Sequence, residues 1–113
     1  GSLNDQSLKS IGKLKHLTYL NLALNPAITS GGISALSTCS ELKYLNLIQN
    51  PATNKVISTL SALKKLSCLK LTALDWKPED DNRLKRNLPK NCELQLLHIE
   101  SNKASKDLDN LIN

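Results

Sequence analysis

A chain of 113 residues carrying 15 Lys and Arg against 10 Asp and Glu is one basic domain, long enough for a core of its own and too short for two. Hydrophobic residues are 40% of it, dominated by leucine, with no Phe or Met and only 3% aromatics. That profile fits layers that reuse one side chain, and the short apolar runs exclude a membrane-spanning helix and a signal peptide.

Gly1-Ser2 reads as a tag remnant, residues 3–99 as the folded domain, and 100–113 as a polar tail. The first element is a helical half-unit, Leu8-Ile11-Leu14-Leu17, with apolar residues three apart. Tyr19 to Ala23 then alternates, placing Leu20 and Leu22 on one face of a short strand. Asn25-Pro26-Ala27 follows as a turn. Thr29-Ser30 supplies a helix start, and Gly32 to Cys39 is spaced for a short helix whose outer face carries Ser34, Ser37 and Ser40.

The pattern then recurs. Leu17-x-x-Leu20-x-Leu22-x-x-Asn25-Pro26-Ala27 returns as Leu42-x-x-Leu45-x-Leu47-x-x-Asn50-Pro51-Ala52, a shift of 25 residues at every position. Ile57-Leu60-Leu63-Leu66 repeats the helical spacing, and Leu66-x-x-Leu69-x-Leu71 follows 24 residues after the second copy. Past Leu71 the spacing breaks. Asp81 or Asn82 is expected to cap a short helix over Arg83 to Leu88, and Trp76 to plug the final layer. Leu88-Pro89 leads into a fourth strand bearing Leu94 and Leu96. In the tail, Leu108, Leu111 and Ile112 could form one amphipathic turn.

One strand and one helix cannot bury their leucines alone, whereas stacked units bury them against each other. The expected fold is therefore α/β: a parallel sheet of about four strands on a concave face, with short helices on the convex face. Aligning by 25 sets Leu3 under Ile28, so the chain reads as a piece of a longer protein that begins just after a missing strand.

The motif Leu-x-x-Leu-x-Leu-x-x-Asn resembles the leucine-rich repeat family over roughly residues 3–99. The helical halves are similar to intracellular subclasses, between the ribonuclease-inhibitor type and the cysteine-containing type of F-box receptors, with Cys39 near the latter's helix cysteine. That type's second cysteine is absent from Asn25 and Asn50. The resemblance implies a solenoid, and it implies that Asn25 and Asn50 sit inside the turn after each strand and bond neighbouring backbone. Leu74 and Ile99 hold that slot in the later copies, so the asparagine ladder stops halfway.

Little in the sequence points to chemistry. Cys39, Cys68 and Cys92 are odd in number and lack Cys-x-x-Cys or His at ligand spacing, which reads as reduced thiols of an intracellular protein, cytoplasmic or nuclear, with no metal or cofactor. There is no phosphate loop, nucleophile elbow or His-Glu-x-x-His. His16 and His98 fall in different repeats, and Glu79-Asp80-Asp81 reads as a solvated loop with a helix start. An enzyme is not expected.

Binding is. With the leucines inward, the intervening residues form columns on the concave face: Tyr19, Tyr44, Cys68, Glu93; then Asn21, Asn46, Lys70, Gln95; then Ala23, Ile48, Thr72, Leu97. The expected contact surface is Tyr19, Asn21, Ala23, Lys43, Tyr44, Asn46, Ile48, Lys70, Thr72 and Gln95, with exposed Ile48 beside a tyrosine anchor. The competing reading is that the tyrosines only stabilise the sheet. The partner is expected to be a protein, with no membrane involved. Alternatives are the substrate-recognition region of a ubiquitin-ligase receptor and an adaptor in a nucleic-acid complex. Against nucleic acid, the basic residues Lys9, Lys13, Lys15, Lys64, Lys65, Arg83, Lys85, Arg86 and Lys90 are scattered and lack interleaved aromatics.

Overall fold

A computed structural model describes residues 2–101 of the chain. The expectation of a turn at Leu108, Leu111 and Ile112 lies outside the described residues. The chain opens with α1 (Asp5–Ile11), whose Asn4 cap is reciprocal: Asn4 Oδ1 accepts the Ser7 amide and Ser7 Oγ accepts the Asn4 amide. β1 (Tyr19–Asn21) leads to α2 (Ser30–Ile33), which is capped by the Thr29 hydroxyl and runs on as a 3-10 segment over Ser34–Thr38. β2 (Tyr44–Ala52), a 3-10 turn (Asn54–Val56) and α3 (Ile57–Ser61) follow, then β3 (Cys68–Leu74), α4 (Pro78–Asn87) and β4 (Glu93–Ile99).

The four strands form one parallel sheet in chain order. Its register is the leucine spacing of the sequence. Leu20 pairs with Leu45, Leu45 with Leu69 and Leu69 with Leu94, while Leu47, Leu71 and Leu96 make the second row. Strand entries are stitched alike: Thr18 O accepts the amides of Lys43 and Tyr44, and Lys43 O accepts those of Ser67 and Cys68. The core lies between the leucine side of the sheet and the helices, with Leu22, Leu36, Leu42, Leu45, Leu60, Leu63, Leu69 and Leu71 all buried. At about 1.5–3 kcal/mol per buried leucine, these rows dominate the stability.

The helices meet through a polar seam at their N-termini that the leucine pattern does not announce. Asp5 accepts the Thr29 amide and hydroxyl at 2.8 and 2.6 Å, Ser30 Oγ accepts the Thr53 amide at 2.9 Å, and Asn54 donates to Asp80 at 3.4 Å. Gly12 supplies a close approach. Its carbonyl accepts the Thr38 hydroxyl at 2.7 Å, and a Cβ there would stand 2.4 Å from the Ala35 carbonyl oxygen.

Two expectations are corrected. Leu14, expected in the helical apolar row, is 54% exposed although its counterparts Cys39 and Leu63 are buried, because α1 ends at Ile11 and leaves Leu14 beyond the helix. α4 begins at Pro78 rather than Arg83. Proline suits the first helical position, the Asp80 carboxylate accepts the Lys77 amide at 2.9 Å, and Glu79, Asp80 and Asp81 fill the first turn, where the helix dipole favours acids. Trp76, expected to plug the final layer, has a half-buried indole that packs on the core and donates to the Ala52 carbonyl at 2.9 Å.

Candidate functional site

The sheet face away from the helices carries the residues that alternate with the buried leucines. Because Tyr19 and Tyr44 occupy paired positions on β1 and β2, their rings stack, with centroids 4.3 Å apart and planes within 4°. Strand spacing imposes that separation. Tyr19 is 59% exposed and Tyr44 is half-buried. Lys70 Nζ lies 5.8 Å from the centre of the Tyr44 ring, within cation–π range, and the Asn46 amide donates to the Tyr44 hydroxyl at 3.4 Å. Tyr19, Tyr44, Asn46 and Lys70 thus form one group. Lys43 and Gln95 are exposed at the start of β2 and on β4.

Other members of the expected surface are spent on the fold. Asn21 Oδ1 accepts the Ala23 amide and Asn46 Oδ1 accepts the Ile48 amide, each at 3.0 Å, so both asparagines brace the backbone two residues on. Ala23 and Ile48 are half-buried, so Ile48 is not the open apolar contact expected of it. Thr72 does not join the surface: it is 5% exposed, and its hydroxyl accepts the Gln49 amide at 3.0 Å where the β2–β3 register shifts between Leu47 and Ala52.

Asn25 and Asn50 are buried and bonded to backbone. Asn25 Nδ2 donates to the carbonyls of Leu22 and Ala23, and its Oδ1 accepts the Leu3 amide. Asn50 Nδ2 donates to Leu22 O, and its Oδ1 accepts the Asn25 amide at 2.9 Å. In the third unit the asparagine turn is absent. Leu47 pairs with Leu71 and Ala52 with Ala73, so the residues of the Asn50 turn correspond to Thr72 alone, and β3 runs straight on to pair Leu74 with Ile99. The chain turns instead at Asp75, whose φ of 58° matches the 64° of Leu24 and Gln49 at the ends of the earlier turns. Sequence reasoning missed these three left-handed positions because none is Gly or Asn, the residues that adopt that conformation at least cost. At Asp75 the carboxylate holds the Ser101 amide at 2.9 Å and hydroxyl at 2.7 Å, which keeps its own pKa below the ordinary value.

Among the described residues no three His, Cys, Asp or Glu side chains gather to hold a metal. His98, remote from His16, meets Asp81 on α4 at 2.7 Å. Cys39 is buried, and that burial pushes its thiol pKa up; Cys92 is raised by burial first and by Cys68 and Glu93 after it. A raised thiol pKa leaves Cys39 and Cys92 less of the nucleophilic thiolate. On the helical side, Ile57, Ser58, Ser61, Arg83 and Asn87 line a cleft of about 300 Å³ between α3 and α4, away from every residue expected to bind. Among the described residues no helix is long and apolar enough to cross a membrane. Comparison of the sequence with protein-family models and with curated proteins finds no match.

Proposed function

We propose that the chain is a stack of leucine-rich-repeat type, a curved solenoid of an intracellular protein that binds a protein partner on its open sheet face and carries out no catalysis. The observation that supports this reading is the Tyr19–Tyr44 stack with Lys70 beside it, set on a sheet whose other side packs against the hydrophobic core. Stacked tyrosines held by paired strands present a rigid, amphipathic contact with little entropy left to lose on binding.

The test is an affinity capture with mass spectrometry, comparing wild type with Tyr19→Ala/Tyr44→Ala, followed by titration of any captured protein against Tyr44→Ala. A partner retained by wild type and lost by the variants, with a small change in melting temperature, is the expected result. Unchanged capture together with a large drop in melting temperature would make the tyrosines a device for holding the sheet.

A further inference from the structure

The two ends of the sheet are not alike. β1 is three residues long, whereas β4 runs straight through seven, Glu93–Ile99, each paired with β3 in unbroken register. Among the described residues nothing pairs with the far edge of β4. Edge strands are normally blunted by lysine, proline or a bulge. Here residues 91–101 contain no Lys, Arg or Pro, in a chain with 15 basic residues. The last layer is apolar as well: Leu88, Leu94 and Leu96 are only partly buried, and Leu97 and Ile99 are 44% and 42% exposed. A terminal unit that faces water ordinarily has a polar outer side.

We infer that the edge of β4 pairs antiparallel with the same edge of a second copy, about a two-fold axis, to give one eight-stranded sheet. The charge pattern of α4 selects this occupant. Glu79, Asp80 and Asp81 lie in its first turn and Lys85 and Arg86 in its last. Asp80 and Asp81 already meet Arg83 and His98, but Glu79, Lys85 and Arg86 have no ion pair among the described residues. α4 packs on α3 and is the last helix among the described residues. A two-fold operation sets α4 beside α4 of the copy in opposite directions, acidic end to basic end. The isologous contact closes on itself, so assembly stops at two.

Light scattering after size exclusion on the full chain, over a concentration series, should give twice the 12.4 kDa chain mass. Leu97→Lys/Ile99→Lys, at exposed positions, should return it to one chain mass with an unchanged circular dichroism spectrum. Glu79→Lys should weaken the dimer at least tenfold, and Glu79→Lys/Arg86→Glu should restore it. A dimer that survives the edge lysines, or is indifferent to the charge swap, overturns the inference. So does a monomer at every concentration, whether its β4 amides exchange freely or are protected by the chain's own residues. Open-ended growth would place β4 against β1 of the next copy and overturns it equally.

Discussion

The backbone amide of Asn25 donates to the side-chain oxygen of Asn50, 25 residues later, across 2.9 Å of buried space. The same asparagine type at the same place in two units therefore serves two ends: each side chain braces its own turn or the one before it, and each oxygen receives an amide from the preceding layer. Leu3 completes the series by donating to Asn25 Oδ1 at 2.9 Å.

Asn50→Ala should accordingly cost more than an ordinary turn mutation. It leaves the buried Asn25 amide without an acceptor, whereas Leu22 O still receives Asn25 Nδ2. One stranded buried donor plus the lost bond from Asn50 amounts to about 2–3 kcal/mol. Urea unfolding checks it. A loss below about 0.5 kcal/mol would mean that water or a shifted loop replaces the asparagine.

Leu14 and Leu63 look equivalent in the sequence and differ in the fold. Leu63 is fully buried, so Leu63→Ala should cost about 2–5 kcal/mol through lost transfer energy and the cavity left behind. Leu14→Ala, at an exposed site, should stay within about 0.5 kcal/mol. Equal losses in chemical denaturation would show that something covers Leu14 in solution.

Gly12 has ordinary helical dihedrals, with φ −60°, so its role is space rather than conformational freedom. Gly12→Ala pushes a methyl group against the Ala35 carbonyl, and backbone at that site cannot swing aside as a side chain would. The expected cost is about 1–3 kcal/mol, typical of overpacking. Gly31→Ala is the control, since the nearest atom to a Cβ there is the Thr29 hydroxyl oxygen at 3.6 Å. A thermal melt that ranks the two variants the other way would contradict the close approach.

The leucine rows, the strand order and the tyrosine stack were legible because each follows from a single number, the 24- or 25-residue spacing that fixes the register. Alternation within a strand then decides which side chains face out. What that spacing does not encode is where it lapses. Thr72 reads as an outward residue by alternation, yet it is buried where the β2–β3 register shifts and Gln49 donates to its hydroxyl. α4 starts ahead of its expected place because proline at the first position followed by acids is a favourable helix N-terminus, which apolar spacing does not register. Asp5–Thr29 and Asp80–Asn54 escaped notice because polar contacts between neighbouring units leave no apolar period to detect.

The hydrogen bonds that Asp5 and Asp75 accept carry a pH dependence. Asp5 lies below its ordinary value of 3.8, chiefly through the Thr29 hydroxyl and then the Thr29 amide. Asp75 is lowered by the Ser101 amide and then its hydroxyl. A carboxyl with a lower pKa folded than unfolded binds its proton more readily in the unfolded chain. Its contribution is complete above about pH 5 and is lost as the pH falls through the folded value. Both groups are near the surface, so each contribution is modest. Urea midpoints should fall between about pH 5 and pH 3. Asp5→Asn removes the titrating group, and Asp75→Asn does the same with a residue that tolerates the positive φ. Each variant should lose part of the wild-type stability at pH 6 and converge on wild type in acid. Parallel curves, offset by a constant amount across the range, would show that these carboxylates act as neutral hydrogen-bond acceptors and that their charge contributes nothing.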